Sequence, residues 1–340
     1  MKVLLYFQDR KTIASSGIGH AENHQITALK TANVDLTLDP KDSFDVAHIN
    51  TLWHKSQVVL RRCHRQGIPA IVHGHSTHED FRDSFVAWKL MEPFVDHSLD
   101  YMYRNADLII TPTPYSKGLI EHYAGVKCPV VAISNGIDMP LYAPSEDAKR
   151  LFRETYGIKE GEKFVMGVGF PFKRKGLDDF FEVARKMPDV KFLWFGHLPS
   201  IAISPYIKKA IRHRSHNAIM AGYAKGALIR GAFQSAGVFF FPSNEETEGI
   251  VVLEALASRT PLVLRDIGVY HPWLHDGVDC HMAKDNEGFA SLIRSLLEKG
   301  EDPKVLEEGF RVAEERDLRK IGPQLKAVYE EILLKKNSSK

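Results

Sequence analysis

Short apolar runs punctuate this chain, and most are followed by a polar turn and a stretch with helical periodicity. The runs are Lys2–Phe7, Asp45–Asn50, Pro69–His73, Ala106–Thr111, Pro129–Ile133, Lys163–Val168, Lys191–Gly196, Ala218–Tyr223, Gly237–Pro242 and Thr260–Leu264. Between them, His20–Ala32, His54–Gln66, Phe81–Arg104, Leu177–Lys186 and Gly249–Ala257 read as helices. Strands that alternate with helices need crossover connections, and crossovers make parallel sheets, so the class is α/β. A length of 340 residues suits two such domains better than one core. With 44% hydrophobic and 26% charged residues the composition is that of an ordinary soluble globular protein. A formal net charge of +2 carries no argument for nucleic acid. The three cysteines, Cys63, Cys128 and Cys280, lack metal-ligand spacing and fit a reducing cytoplasm. The first apolar run is too short for a signal peptide, and no stretch approaches a membrane span, so any membrane contact is expected to be peripheral.

The chemistry concentrates at the ends of strands. Gly237-Val-Phe-Phe-Phe-Pro242 leads into Asn244-Glu-Glu-Thr-Glu-Gly249 and then a helix. Two readings of this acidic turn stay open. It caps a helix start, where carboxylates are favourable. Alternatively Glu246 and Glu254, eight positions apart, accept hydrogen bonds from the hydroxyls of an elongated ligand whose phosphates meet the helix N–H groups. Gly169-Phe-Pro-Phe-Lys-Arg-Lys-Gly176 sets three cations beside another turn, either solvated or placed for a diphosphate. Strand 69–73 ends in His73-Gly-His75-Ser-Thr-His78-Glu79-Asp80, a set that invites a metal reading but lacks a firm ligand signature such as HExxH. Ser15-Ser-Gly17-Ile-Gly19-His20 reads as a glycine-bearing turn open to a ligand, without the dinucleotide fingerprint. The helix 54–66 carries Lys55, Arg61, Arg62, His64 and Arg65, either as a solvated face or as a patch for anionic lipid.

In this order these segments resemble retaining glycosyltransferases of family 4, with the GT-B fold. The likeness is carried by Glu246-(x7)-Glu254 with Gly249, His75-Ser76, the Ala106–Ser116 segment, Asn135-Gly-Ile-Asp138, and Lys175-Gly176. Two departures are visible. Thr247 and Glu248 separate Glu246 from Gly249, and Phe170 stands where the family has Arg, leaving Lys173 or Arg174 to supply the charge. The resemblance implies two Rossmann-like domains facing across a cleft. An acceptor-side domain would span 1–140, with helix 320–334 packed back on it. A nucleotide-sugar-binding domain would span 160–318, after a linker from Asp138 to about residue 160. It implies Glu246 and His75 as the catalytic pair around the hexose and Glu254 on the ribose. Lys173, Arg174 and Lys175 would hold the pyrophosphate, Tyr223 would lie near the base, and Gly17, Gly19 and Gly249 would make close backbone contacts with the donor. Glu79 and Asp80 would lie on the acceptor side.

The Ser16-Gly-Ile-Gly, His-Gly-His-Ser-Thr and Lys-Arg-Lys-Gly runs narrow the likeness to bacterial glycolipid synthases that add a second hexose to glucosyl diacylglycerol. The expected reaction moves glucose or galactose from a UDP-sugar to a membrane glycolipid, with no cofactor and no metal. The enzyme would work at the inner face of the cell membrane, on an anionic surface. The alternatives are transfer to a soluble, cell-wall or capsular saccharide, a sugar phosphorylase or epimerase of the same fold, a metal hydrolase using His73, His75 and His78, and a non-catalytic sugar-binding protein.

Overall fold

The apolar runs fold as strands buried on both faces, which is why they lack polar alternation. The computed structural model describes residues 1–13, 16–81 and 88–338. In chain order the first elements are β1 (Lys2–Tyr6), α1 (Arg10–Ile13), α2 (Gly17–Thr31), β2 (Asp35–Thr37), β3 (Val46–Ile49), α3 (His54–Gln66) and β4 (Ala70–His73). They are followed by α4 (His78–Phe81), α5 (Trp88–Arg104), β5 (Leu108–Thr111), α6 (Pro114–Glu121) and β6 (Val130–Ala132). Next come α7 (Glu146–Tyr156), β7 (Phe164–Val168), α8 (Leu177–Arg185), β8 (Lys191–Phe195), α9 (Pro205–Arg212), β9 (Ala218–Gly222), α10 (Ala227–Ser235) and β10 (Val238–Phe241). The chain closes with α11 (Ile250–Ala257), β11 (Leu262–Arg265), β12 (His281–Ala283), α12 (Asn286–Lys299), α13 (Pro303–Glu315) and α14 (Leu318–Ser338).

The first unit comprises Met1–Phe81, Lys89–Ile137 and Arg316–Lys340. Its described strands form a parallel sheet of order β2-β1-β3-β4-β5-β6. Alternate residues of each strand serve opposite cores. Leu4 and Tyr6 pack with Leu60, Cys63, Leu99 and Met102 of α3 and α5. Val3 and Leu5 pack with Ala28 and Leu29 of α2 and with Leu325 and Tyr329 of α14. Helix α14 can lie against α2 because residue 322 is glycine: a Cβ there would sit 2.1 Å from the Ala28 carbonyl oxygen.

The second unit, built on Asp138–Glu315, has the parallel order β12-β11-β10-β7-β8-β9. Phe180, Trp194, Phe240 and Phe289 form the aromatic centre of one core. In each sheet the strand order reverses once, between β1 and β3 and between β7 and β10. At such a switch point the two flanking turns leave the sheet side by side, opening room for a ligand.

Several boundaries differ from expectation. The stretch 138–160 is not an open linker. It holds a 3-10 turn, Met139–Tyr142, and α7, whose start is capped by Ser145 and whose end is closed by Gly157 at φ 61°. Buried Ala148 and Phe152 anchor α7, and it packs on α10 of the second unit. The glycine turn at 17–19 is instead the first turn of α2, because Ser16 accepts a hydrogen bond from the Gly19 N–H. The aromatic stretch 81–104 holds the last residue of α4 and the whole of α5, and Ser15, Arg82 and Phe85 lie outside the described residues. Strands β2 and β12, three residues each, carry too little pattern to be read from sequence.

Candidate active site

In the second unit the two turns at the switch point are stitched together. Gly176 ends the β7 turn at φ 68°, and a Cβ there would sit 2.2 Å from the Pro242 carbonyl oxygen. The Asn244 N–H donates to the Arg174 carbonyl at 2.7 Å. This approach sets the basic run of one turn against the acidic run of the other. Lys175 Nζ donates to Glu246 Oε1, and Arg174 Nη1 lies 3.7 Å from the same oxygen while donating to the Glu245 carbonyl at 2.7 Å. Ser243 Oγ adds a third donor to Glu246 at 2.7 Å. Burial works to raise the pKa of Glu246, but Lys175 and Arg174 outweigh it, so the carboxyl ionises below its usual range. Lys175, expected on a diphosphate alone, is thus also the main counter-ion of Glu246. An ammonium has three donors, so this pairing does not exhaust it. Lys173 Nζ lies 5.6 Å from the centre of the Tyr206 ring.

Glu254 lies inside α11 and is buried. Its Oε1 accepts from the Tyr142 hydroxyl at 2.7 Å. Burial and then the Glu254 charge push the Tyr142 hydroxyl far above its ordinary pKa, which keeps it a donor. Neither Gly249, at φ 85°, nor Gly176 brings a side chain to cap the helix that follows. Tyr223 follows β9 and is 47% exposed. Three contributors escaped the sequence reading. Ser243 is legible from its place directly before the acidic turn, whereas Tyr142 and Tyr270 carry no local signal. Tyr270 is wholly buried, and its hydroxyl would lie 3.6 Å from a Cβ at Gly249.

In the first unit the histidines separate into two groups. His73 is buried and His75 partly exposed, with rings stacked at 3.9 Å between centroids. His75 Nε2 lies 2.9 Å from Asn50 Oδ1. Burial lowers the His75 pKa to about 3, so its ring is neutral at ordinary pH. His78 turns away to Asp96 and to Asp100, the latter at 3.3 Å. Among the described residues, no group of three or more His, Cys, Asp or Glu side chains could hold a metal ion. Asp80 and Thr77 cap α4 reciprocally at 3.1 Å, and Glu79 Oε2 accepts from the Tyr123 hydroxyl at 2.5 Å. Both acidic residues therefore have a structural task beside α4. Gly17 and buried Gly19 lie in the first turn of α2, and a Cβ on Gly17 would meet open space.

Known proteins resemble this chain in sequence and in fold. Residues 28–139 match the model of Glycosyltransferase Family 4, and residues 148–311 match that of Glycosyl transferases group 1. The processive diacylglycerol alpha-glucosyltransferase of Acholeplasma laidlawii is 46% identical, over 98% of this chain and 99% of its own length. The alpha-monoglucosyldiacylglycerol synthase of the same organism is 25% identical, over 78% of this chain and 69% of its own. Among solved structures, Anabaena Alr3699/HepE in complex with UDP-glucose superposes with a TM-score of 0.74, covering 97% of this chain and 100% of that one at 16% identity, a likeness of fold. A 46% identical relative matched along nearly its whole length, two parallel sheets of the GT-B type, and the family matches at 28–139 and 148–311 establish that this chain belongs to glycosyltransferase family 4.

Proposed function

We propose that this glycosyltransferase moves a glucosyl residue from UDP-glucose to a diacylglycerol-based acceptor, monoglucosyl diacylglycerol above all, with retention of anomeric configuration and without a divalent metal. The observation that carries the reading is the 46% identity to an enzyme named for glucosyl transfer to diacylglycerol. In the second unit, Glu254 accepts the ribose hydroxyls. The uncapped starts of α8 and α11, with Lys173, Arg174 and Lys175, hold the diphosphate. Glu246, kept ionised by its counter-ions, accepts from hexose hydroxyls, and Tyr223 and Gly249 border the nucleotide. In the first unit, His75 contacts the transferred hexose, Gly17 and Gly19 contact the donor, and Glu79 and Asp80 belong to the acceptor side. The bond from the anomeric carbon to the diphosphate oxygen breaks, the acceptor oxygen bonds on the same face, and its proton passes to the departing phosphate. No protein nucleophile is required.

Among the described residues no helix is long and apolar enough to cross a membrane. We assign contact with the bilayer to the first unit, where exposed Trp53 directly precedes α3 and Val58, Arg61 and Arg65 are exposed along it. Labelled UDP-glucose and UDP-galactose, offered with diacylglycerol, monoglucosyl diacylglycerol and soluble saccharides, test the reading. An α-linked glucolipid that still forms in EDTA is the expected product. Transfer only to soluble sugar would refute the acceptor, a β-linked product the retention, and loss in EDTA restored by Mg2+ or Mn2+ the metal independence.

A further inference from the structure

The charge of this chain is unevenly placed. From Val190 to Asn244 there is no Asp or Glu but there are seven Lys and Arg, so the remainder, within a formal net charge of +2, is net acidic. The stretch covers β8, α9, β9, α10 and β10 of the second unit, with β9 at one edge of the sheet. Among the described residues, Lys191 alone of the seven pairs with a carboxylate, Glu162 at 2.9 Å. Lys208, Lys209 and Arg212 lie on α9, and Arg214 follows its end. The packing of the helix turns them outward. Ile207 is buried in the core, with Ile203, Ala210 and Ile211 partly buried beside it. That leaves Tyr206, Lys209 and Arg212, three residues apart, exposed on the other side. Arg214 donates from Nε to the Ala218 carbonyl at 2.9 Å and from Nη1 to the Ile211 carbonyl at 2.7 Å, which fixes its charge at the helix end without neutralising it. Just before α9 a 3-10 turn, Ser200–Ala202, holds Ile201 86% exposed, and Tyr206 is 54% exposed. The acids of α8, which packs on α9, have partners: Asp178 accepts from the Tyr206 hydroxyl at 2.8 Å, Asp179 pairs with Arg265, and Glu182 with Arg185.

We propose that this face of the second unit, formed by Ile201, Tyr206, Lys208, Lys209 and Arg212, docks on the surface of an anionic bilayer. The inference rests on the reading that the acceptor is a membrane lipid, and it adds a contact in the second unit to the one assigned to α3. Cations on an exposed helix attract anionic headgroups within a Debye length. An aliphatic and an aromatic side chain beside them can enter the boundary between headgroups and acyl chains. A face that serves only to be solvated has no need of an isoleucine at its tip. A nucleic acid would answer the same charge and could stack on Tyr206, but it has no use for Ile201. The face also adjoins the donor-binding turn, since Lys173 Nζ lies over the Tyr206 ring at 5.6 Å from its centre. Docking through α9 therefore keeps the cations assigned to the diphosphate near the surface from which the acceptor comes.

The test is co-sedimentation of the full chain with vesicles of phosphatidylglycerol and phosphatidylcholine. Changing Lys208, Lys209 and Arg212 together to Gln should weaken binding roughly ten- to hundredfold at low salt, from about fivefold per exposed cation, and the difference should shrink at high salt. Ile201→Ser should weaken it roughly three- to fivefold at either salt, because apolar burial is not screened. Changing Arg150, Lys284 and Arg311 to Gln removes the same charge elsewhere on the second unit and should leave binding within about twofold of wild type. UDP affinity, and transfer to acceptor dispersed in non-ionic detergent, should match the wild type in all three variants. Wild-type vesicle binding by the α9 variant, with loss in the variant of Lys55, Arg61, Arg62 and Arg65, would overturn the proposal and keep the bilayer reading. Equal losses in the α9 variant and the charge control would overturn it as an effect of net charge alone. So would binding of RNA that the α9 variant loses while its vesicle binding stays. No vesicle binding by the wild type, with transfer only to soluble sugar, would remove the bilayer reading and this proposal with it.

Discussion

Replacing Lys175 by Met tests whether the switch-point ion pair holds the site together. The side chains of Lys175, Arg174 and Glu246 are 16%, 13% and 7% exposed, so solvent screens them little. Removing one partner of a buried pair costs about 3–5 kcal/mol, because the other charge stays buried. Here Arg174 at 3.7 Å and Ser243 at 2.7 Å remain on Glu246, which brings the expectation down to about 2–3 kcal/mol. At roughly 2–4 °C per kcal/mol for a unit of this size, Tm should fall by roughly 4–12 °C near neutral pH. The pH dependence supplies a second check. In the wild type the Glu246 pKa lies below its unfolded value, so its stabilisation is present above that value and is lost as pH falls through the folded pKa. Without Lys175, burial dominates and the folded pKa rises above the unfolded one, so the variant gains relative stability on acidification. The Tm gap should therefore narrow between about pH 7 and about pH 4.5. Adding Glu246→Gln should recover Tm at neutral pH without recovering transfer. Melting by circular dichroism at both pH values decides the matter. A Lys175→Met protein that melts like the wild type near neutral pH, or a gap that widens in acid, would refute this account of the pair.

Glu254→Ala should weaken UDP binding by roughly ten- to hundredfold, the worth of a buried hydrogen bond to a charged group, while Tyr142→Phe, which leaves the carboxylate, should cost less. Titration calorimetry with UDP reads both, and wild-type affinity in Glu254→Ala would end the ribose assignment. Changing Lys55, Arg61, Arg62 and Arg65 to Gln should reduce binding to phosphatidylglycerol vesicles and activity on membrane acceptor while sparing UDP. Most of the effect should come from Arg61 and Arg65, since Lys55 pairs with Asp9 at 2.8 Å and half-buried Arg62 donates to the Pro40 carbonyl at 2.7 Å. Co-sedimentation at low and high salt, with neutral vesicles as control, shows whether the attraction is electrostatic. Equal binding by variant and wild type would take this helix out of the lipid contact.

What the sequence determined by itself is what short-range chemistry encodes. Runs such as Val46–Ile49 and Val238–Phe241 could only be strands buried on both faces, and their alternation with helices made both sheets parallel. Glu246 and the cations of 173–175 announced themselves as charged runs in turns at strand ends, and Glu254 by its spacing from Glu246. Helix α7 was legible in principle, from Ser145, the apolar Ala148 and Phe152, and Gly157, but Pro140 and Pro144 made its surroundings read as a linker. The tertiary structure decided which charges meet. Lys175 and Glu246 are seventy-one residues apart, and they pair because the strand order reverses between β7 and β10 and Gly176 lets the two turns touch. Tyr142 reaches Glu254 over 112 residues, and Tyr329 reaches His48 over 281. Such contacts have no periodicity to betray them. They arise when a sheet closes its order and a helix docks on its face, and burial then makes each an obligatory partnership, because a polar group removed from water must find its hydrogen bond inside the protein.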